Sequence, residues 1–444
     1  MKKDEFDYVA PADLRLGLFV DLDLGWLSHP FASRRFKISS QHQIDELRAL
    51  GLQRLRYVPA KSDPLPAVTA APDAAATPAG SKPSPDNAAT KSAAAAPLPL
   101  QDAAQGPGSP HSPWERQQLS LARCERHFCA AAEQHKQALD LLPGQPLQAA
   151  ALSSGVVQGL VQQVVSQGES AIRLLTEVAG DKSAMHAVNV TVLALLLGRA
   201  LQMEPAQLQD LGLAAFLHDV GKSELAPRLR RLDGGFSSAE LKAYQSHVEH
   251  GVRLGTAMGL GAAAVRALAE HHELADGSGF PQAKAGADLS MGGRILALVN
   301  RYDGLCNPQW AGAAMTPHEA LALIFSQQKT RFDATVLSAF IRMVGVYPPG
   351  SVVQLNDERH ALVVSVNSAR PLKPRVIVHE PGVPASQALV LDLEQNPQAS
   401  IRRSLKPASL PAAAQDYLQP RQRISYFFEA VGLAANASEL ALRA

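Results

Sequence analysis

The stretch Phe216-Leu-His-Asp-Val-Gly-Lys222 (FLHDVGK) closes an apolar run with an imidazole, a carboxylate, a glycine and an ammonium within five consecutive positions. The run before it has helical spacing, and Gly221 is where the helix is expected to stop. Two side chains that bind cations well, followed by a cation, are thereby presented at a helix end. A His-Asp pair alone is common, so its meaning depends on the surrounding chain.

Working outward, the pattern from Trp114 to about Gly345 is overwhelmingly helical. WERQQLSLARCERHFCAAAEQHKQALDLL and ALSSGVVQGLVQQVVSQGESAIRLLTEVAG both have helical periodicity and few strand signals. Val188–Leu197 (VNVTVLALLL) is too short to span a bilayer and reads as a buried helix. After Val346 the character changes: GSVVQLNDERHALVVSVN gives two β-like runs around Asn356-Asp357, and PRVIVHE offers a third. On the N-terminal side, residues 61–110 hold 15 Ala and 10 Pro and no aromatic residue, a composition that cannot offset its ordering entropy. Before it, LRLGLFVDLDL and LQRLRYV read as strands flanking a short helix in SSQHQIDELRALG. The expected organisation is a small α/β module (1–60), a flexible Ala/Pro-rich linker (61–112), a helical domain (113–345) and a C-terminal β-containing extension (346–444).

At 444 residues the chain is too long for one ordinary core, and 46% apolar residues suffice to bury sizeable ones. A formal net charge of +1 gives no support for a polyanion-coating protein, so neither DNA nor RNA is an expected partner. Cys124, Cys129 and Cys306 form no CxxC pair, which disfavours a disulfide framework and a thiolate zinc site. With no apolar leader visible, a cytoplasmic protein without membrane attachment is expected.

Six of the fourteen histidines fall between residues 186 and 272: His186, His218, His247, His250, His271 and His272. Separate helices or helix ends supply them. His186 shares a face with Val190, Leu193 and Leu197 and taken alone reads as a core histidine; His247 and His250 could be a solvated face. AEHHELADGSGFP is different, because adjacent imidazoles before a glycine-rich turn serve no packing purpose. Imidazole and carboxylate suit first-row divalent ions, and the two oxygens of Asp219 can bridge a pair of them.

HDVGK (218–222), His186, His247, HHELADGSGFP (271–281) and GGRILALVNRYDGL (292–305) stand in the order and spacing of the HD-GYP family, which this chain resembles over about residues 180–340. DLRLGLFV and the following short helix resemble the small domain often found ahead of it, and VGVYPPGSVVQL resembles the usual C-terminal extension. The resemblance implies a mainly α, helical HD-type bundle. It also implies a metal-dependent phosphodiesterase that opens cyclic di-GMP in bacterial second-messenger signalling. His186, His218 and Asp219 would hold one metal; Asp219 would bridge to a second held by His247, His271 and His272. Lys222 would sit beside the phosphate. Two divalent ions, iron or manganese, are the implied cofactors.

The chain also departs from the family pattern. An expected Asp ligand falls on Asn300, a neutral donor; Asp303, one turn on, is not the ligand in the family. Lys182 stands where three-metal members carry Glu, so two metals are expected. Gly279-Phe280-Pro281 replaces Gly-Tyr-Pro and, with the N-terminal module, is a candidate surface for protein partners. The phosphate-gripping Arg/Lys run is replaced by Gln309-Trp310-Ala311-Gly312-Ala313, leaving Arg294 as a candidate substrate contact. Two alternatives follow: an HD phosphohydrolase with another phosphoester substrate, or a degenerate domain acting as a signalling or binding module.

Overall fold

The computed structural model describes residues 6–21, 35–38, 54–63 and 112–430, apart from 167–169, 178–179, 231–235, 309–313 and 368–369, together with isolated positions between 41 and 48. The chain divides into two compact units, Met1–Ala94 and Ala95–Ala444. The expected linker falls almost wholly outside the described residues, as does the Gln309–Ala313 segment.

In the first unit, strands β1 (Asp7–Val9), β2 (Phe19–Asp21), β3 (Arg35–Lys37) and β4 (Leu55–Tyr57) form an antiparallel sheet in the order β1-β4-β2-β3. Leu18, Val20 and Leu55 pack with Ile44 and Leu47, which lie three residues apart on a helical stretch and so share its buried face. The strand expected over LRLGLFVDLDL shortens at its start because Gly17 turns the chain at φ +82°.

The second unit begins with α1 (Pro113–Leu141), started by Pro113 at N1 and a reciprocal cap between Ser112 and Glu115. α2 (Pro146–Ser166) follows. The core of the bundle is α3 (Lys182–Ala200), capped by the Asp181 carboxylate on the Ser183 and Ala184 amides. α3 is apolar nearly all round, as a helix packed on all sides must be. Among the described residues it is the helix long and apolar enough to cross a bilayer; here it is buried within the protein. α4 (Pro205–Leu217), α5 (Ser238–Gln245), α6 (His247–Ala257), α7 (Ala262–Glu270), α8 (Met291–Cys306), α9 (Pro317–Gln327) and α10 (Ala334–Val344) complete the helical part.

Two sequence expectations need correction. Residues 170–174, read as helical, form strand β5 (Ser170–Leu174). It lies between β7 (His360–Asn367) and β11 (Tyr426–Ala430), in an antiparallel sheet ordered β10-β6-β7-β5-β11, where β6 is Val352–Leu355 and β10 is Ile401–Leu405. Ala171 to Leu174 are all buried, so this strand shows no period-two alternation. The β region after 346 is therefore joined through β5 to the helical part. β8 (Arg375–Val378) and β9 (Val390–Asp392) extend the sheet from β7. The second correction concerns α4, which ends at Leu217, not Gly221. His218 caps it and the chain tightens into a 3₁₀ turn over Val220–Glu224.

Candidate metal centre

That tight turn requires glycine. A Cβ on Gly221 would lie 1.9 Å from the His247 carbonyl oxygen and 2.5 Å from the Gly251 amide nitrogen. Only a bare Cα lets the turn press on α6, and this close approach brings His218 and Asp219 to His247, the first residue of α6. His271 caps the end of α7 with His272 next, so two helix ends and one helix start aim imidazoles at Asp219. His186, from the second turn of α3, and Asn300, from α8, close the other side.

The donors form two groups that share Asp219. In the first, His186 Nε2 lies 3.1 Å from His218 Nε2 and 3.1 Å from Asn300 Oδ1, while Asp219 Oδ2 is 3.4 Å from His218 Nε2 and 3.9 Å from His186 Nε2. In the second, Asp219 Oδ1 is 3.7 Å from His247 Nε2 and 4.0 Å from His271 Nε2, with those two nitrogens 3.3 Å apart; His272 completes the group. Separations of 3–4 Å are the edges expected of a polyhedron with metal–ligand bonds of about 2.1 Å.

Three imidazoles are fixed locally. His218, His247 and His271 each direct Nδ1 to the carbonyl three residues earlier, on Ala215, Tyr244 and Leu268, at 2.8, 2.6 and 2.7 Å. With the proton on Nδ1, the Nε2 lone pair is left for an ion. His186 Nδ1 is held instead by Asp303 Oδ2 at 2.6 Å. Asp303 thus orients a donor through the far side of its ring and does not itself face the ion position.

The electrostatics suit cation binding. Burial holds His247 down to about 4, and burial with neighbouring imidazoles holds His271 and His272 well below the ordinary range, so all three are neutral. Burial would pull His186 down too, but the hydrogen bond and charge of Asp303 outweigh it and raise it. Burial would raise Asp219, yet Lys222 and His218 outweigh that and keep it ionised. Within this donor set two buried atoms have no hydrogen-bond partner: Asp219 Oδ1 and His272 Nε2. Orphaned buried acceptors in the middle of a donor set are what a bound cation would satisfy, so the residues present fit a divalent pair.

The remaining site residues sort as follows. Lys222 Nζ is 2.7 Å from Asp219 Oδ2 and 5.3 Å from the centre of the Tyr244 ring. Arg294, the candidate substrate contact, bonds the Leu289 carbonyl and pairs with Asp333 at 3.1 Å. Phe280 stacks on His272 with centroids 4.5 Å apart, so the Gly-Phe-Pro segment is built into the wall of the centre; Pro281 is exposed. Gly279 sits so close to the Glu273 and His272 backbones that a Cβ would meet them at 2.5 Å. The buried Glu273 carboxylate accepts from the Gln282 and Lys284 amides and anchors this loop. Glu273, Tyr244, Asn189 and Asn307 were not singled out from sequence; the i+3 and i+4 spacings from His186 to Asn189 and from Asp303 to Asn307 were the available signals.

Comparison with known proteins matches three family models in chain order: a domain of unknown function (DUF3391) at 9–150, an HD domain at 163–336, and a KOW domain associated with HD domain at 352–413. A Pseudomonas aeruginosa protein named as a cyclic di-GMP phosphodiesterase is 27% identical over 369 residues, covering 82% of this chain and 83% of its own. Residues 163–336 are thus similar to the HD domain family, in line with the HD-GYP resemblance of the sequence. Also similar is a Vibrio cholerae 3'3'-cGAMP-specific phosphodiesterase, 28% identical over 37% of this chain and 36% of its own. Among solved structures, an HDG"Y"P protein from Bdellovibrio bacteriovorus aligns over 76% of this chain and 98% of its own at 11% identity, with a TM-score of 0.38.

Proposed function

We propose that this HD-GYP protein is a metal-dependent phosphodiesterase that hydrolyses a cyclic dinucleotide, with cyclic di-GMP as its substrate and two divalent cations, iron or manganese, at the His/Asp centre. The observation that carries this is the position of Asp219, shared by two groups of imidazoles, with one buried oxygen lacking a hydrogen-bond partner. The similarity to a named cyclic di-GMP phosphodiesterase across most of both chains supports the substrate class.

Divalent cations, when bound, supply Lewis acidity toward the phosphodiester and toward the attacking water. The chain's own residues do the rest. His186, His218 and Asn300 would hold one cation and His247, His271 and His272 the other, with Asp219 common to both. Because Asp219 is the one carboxylate among these donors, the loaded centre stays strongly cationic, which favours a dianionic cyclic dinucleotide. Lys222 Nζ, held between Asp219 and the Tyr244 ring, is placed to donate to a phosphodiester oxygen arriving over Asp219. Phe280 covers one face of His272 and keeps water from it.

The test is the full-length protein loaded anaerobically with Mn²⁺ or Fe²⁺ and given cyclic di-GMP or 3'3'-cGAMP, with products separated by chromatography. Linear dinucleotide or mononucleotide, absent with His218→Ala and Asp219→Ala, is expected. No turnover of either above those controls would reject the reading. Asn300, a neutral donor where a carboxylate is expected, favours a second reading in which the centre binds the dinucleotide without cleaving it. Saturable binding to an inactive, metal-loaded protein would identify that case.

A further inference from the structure

The four oriented imidazoles are not held alike. His218, His247 and His271 rely on backbone carbonyls three residues earlier in the chain, but His186 relies on Asp303, and Asp303 is the head of a longer network. The other carboxylate oxygen, Oδ1, accepts from Asn189 Nδ2 and Asn307 Nδ2, each at 2.9 Å. Each of those amide groups gives its second hydrogen to one atom, the Ile424 carbonyl, at 2.8 Å. In return the Ile424 amide donates to Asn307 Oδ1 at 2.8 Å and the Tyr426 amide to Asn189 Oδ1 at 3.0 Å. Backbone N–H groups can only donate, so both side-chain amides are locked in one orientation. Asn189 and Asp303 are fully buried, and every polar atom in the set is satisfied.

The segment that closes this network, residues 424–426, leads into β11, which pairs with β5 in the C-terminal sheet. We propose that Asn189 and Asn307 are positioning residues that make the His186 side of the metal centre depend on the seating of residues 424–426. The His247/His271/His272 side has no such dependence. This rests on the metal-centre reading above. If residues 424–426 shift, Asp303 Oδ1 loses two donors, its carboxylate is free to turn, and His186 loses the partner that fixes its ring and tautomer. The C-terminal sheet is thereby part of the support for one of two cation positions. A ligand or partner that moves the sheet would act on cation occupancy at that position.

The experiment uses the full chain. Mn²⁺ binding is titrated calorimetrically after chelator treatment for wild type, Asn307→Ala, and His186→Ala as the marker of the first position. Loss of an outer partner typically weakens a metal site about 10–100-fold. Asn307→Ala is one step further out, so an approximately tenfold weakening confined to the position that His186→Ala abolishes is expected. A second measurement needs no variant. Linkage is reciprocal, so Mn²⁺ added to wild type should slow hydrogen exchange at the Ile424 and Tyr426 amides. Equal weakening of both positions, no weakening of either, or unchanged exchange at 424 and 426 overturns the inference. If Asn307→Ala fails to fold, the exchange result decides. Wild type that binds no Mn²⁺ in a His218- and Asp219-dependent way would overturn the underlying reading as well. Wild type that binds two ions, with no selective effect of Asn307→Ala, overturns this inference alone.

Discussion

Asn300→Asp is the substitution that most directly probes the shortage of negative charge in the centre. Asn300 Oδ1 lies 3.1 Å from His186 Nε2, so a carboxylate of the same length places an ionised oxygen at the same donor position. An interaction made by an ionised oxygen is worth about 1–2 kcal/mol more than one made by a neutral amide, or roughly 5–30-fold in affinity. The opposing effect is repulsion from Asp219 before a cation arrives. That repulsion is softened because Asp219 is already paired with Lys222 at 2.7 Å. It also falls on the cation-free state, so it adds to the gain on binding rather than cancelling it. The expected result is an approximately tenfold lower Mn²⁺ dissociation constant at the His186 position, read by competition with a buffered chelator. The metal-free protein should become slightly less stable. Any cyclic di-GMP turnover should rise at limiting metal. Unchanged affinity at that position would mean Asn300 does not face the ion, and the charge argument built on it would fall.

Three further outcomes follow from the geometry. Gly221→Ala would set a methyl 1.9 Å from the His247 carbonyl oxygen, and backbone on both sides cannot give way; a loss of about 3 kcal/mol or more in urea unfolding is expected, and a loss below about 1 kcal/mol would contradict the close approach. Phe280→Ala removes the ring stacked on His272, worth about 1 kcal/mol beyond area burial, and should weaken the Mn²⁺ position marked by His272→Ala severalfold. Phe280→Tyr should not, and equal effects of the two would refute the stacking role. Burial holds His135 and His247 down to about 4 from an ordinary 6.5. The unfolded chain therefore takes up protons below 6.5 that the folded one refuses until about 4. The contribution of these two groups to metal-free stability should be flat above pH 6.5 and fall between 6.5 and 4, by up to roughly 3 kcal/mol per group. Urea midpoints that do not move between pH 7.5 and 5 would refute neutral burial.

Much of the site was legible because its donors are chemically unusual for their surroundings. His218 and Asp219 end an apolar helix, and His271 and His272 precede a glycine-rich turn; neither placement helps packing. The supporting residues were not legible in the same way. Asn189 sits inside the most apolar helix of the chain, where a lone amide reads as an exception, and Asn307 sits in a helix end where Asn is ordinary. Their meaning lies in a partner 117 to 237 residues away, and a pairing that distant leaves no local period to detect. β5 was misread for a related reason. A strand buried on both faces between β7 and β11, with Arg173 buried beside Ile172 and Leu174, has no period-two alternation and is indistinguishable by periodicity from the helix before it. Arg294 likewise pairs with Asp333, a partner thirty-nine residues on that no local pattern announces. Local pattern therefore reveals which atoms can bind a cation. What holds His186 still is settled by contacts between segments that the chain order keeps far apart.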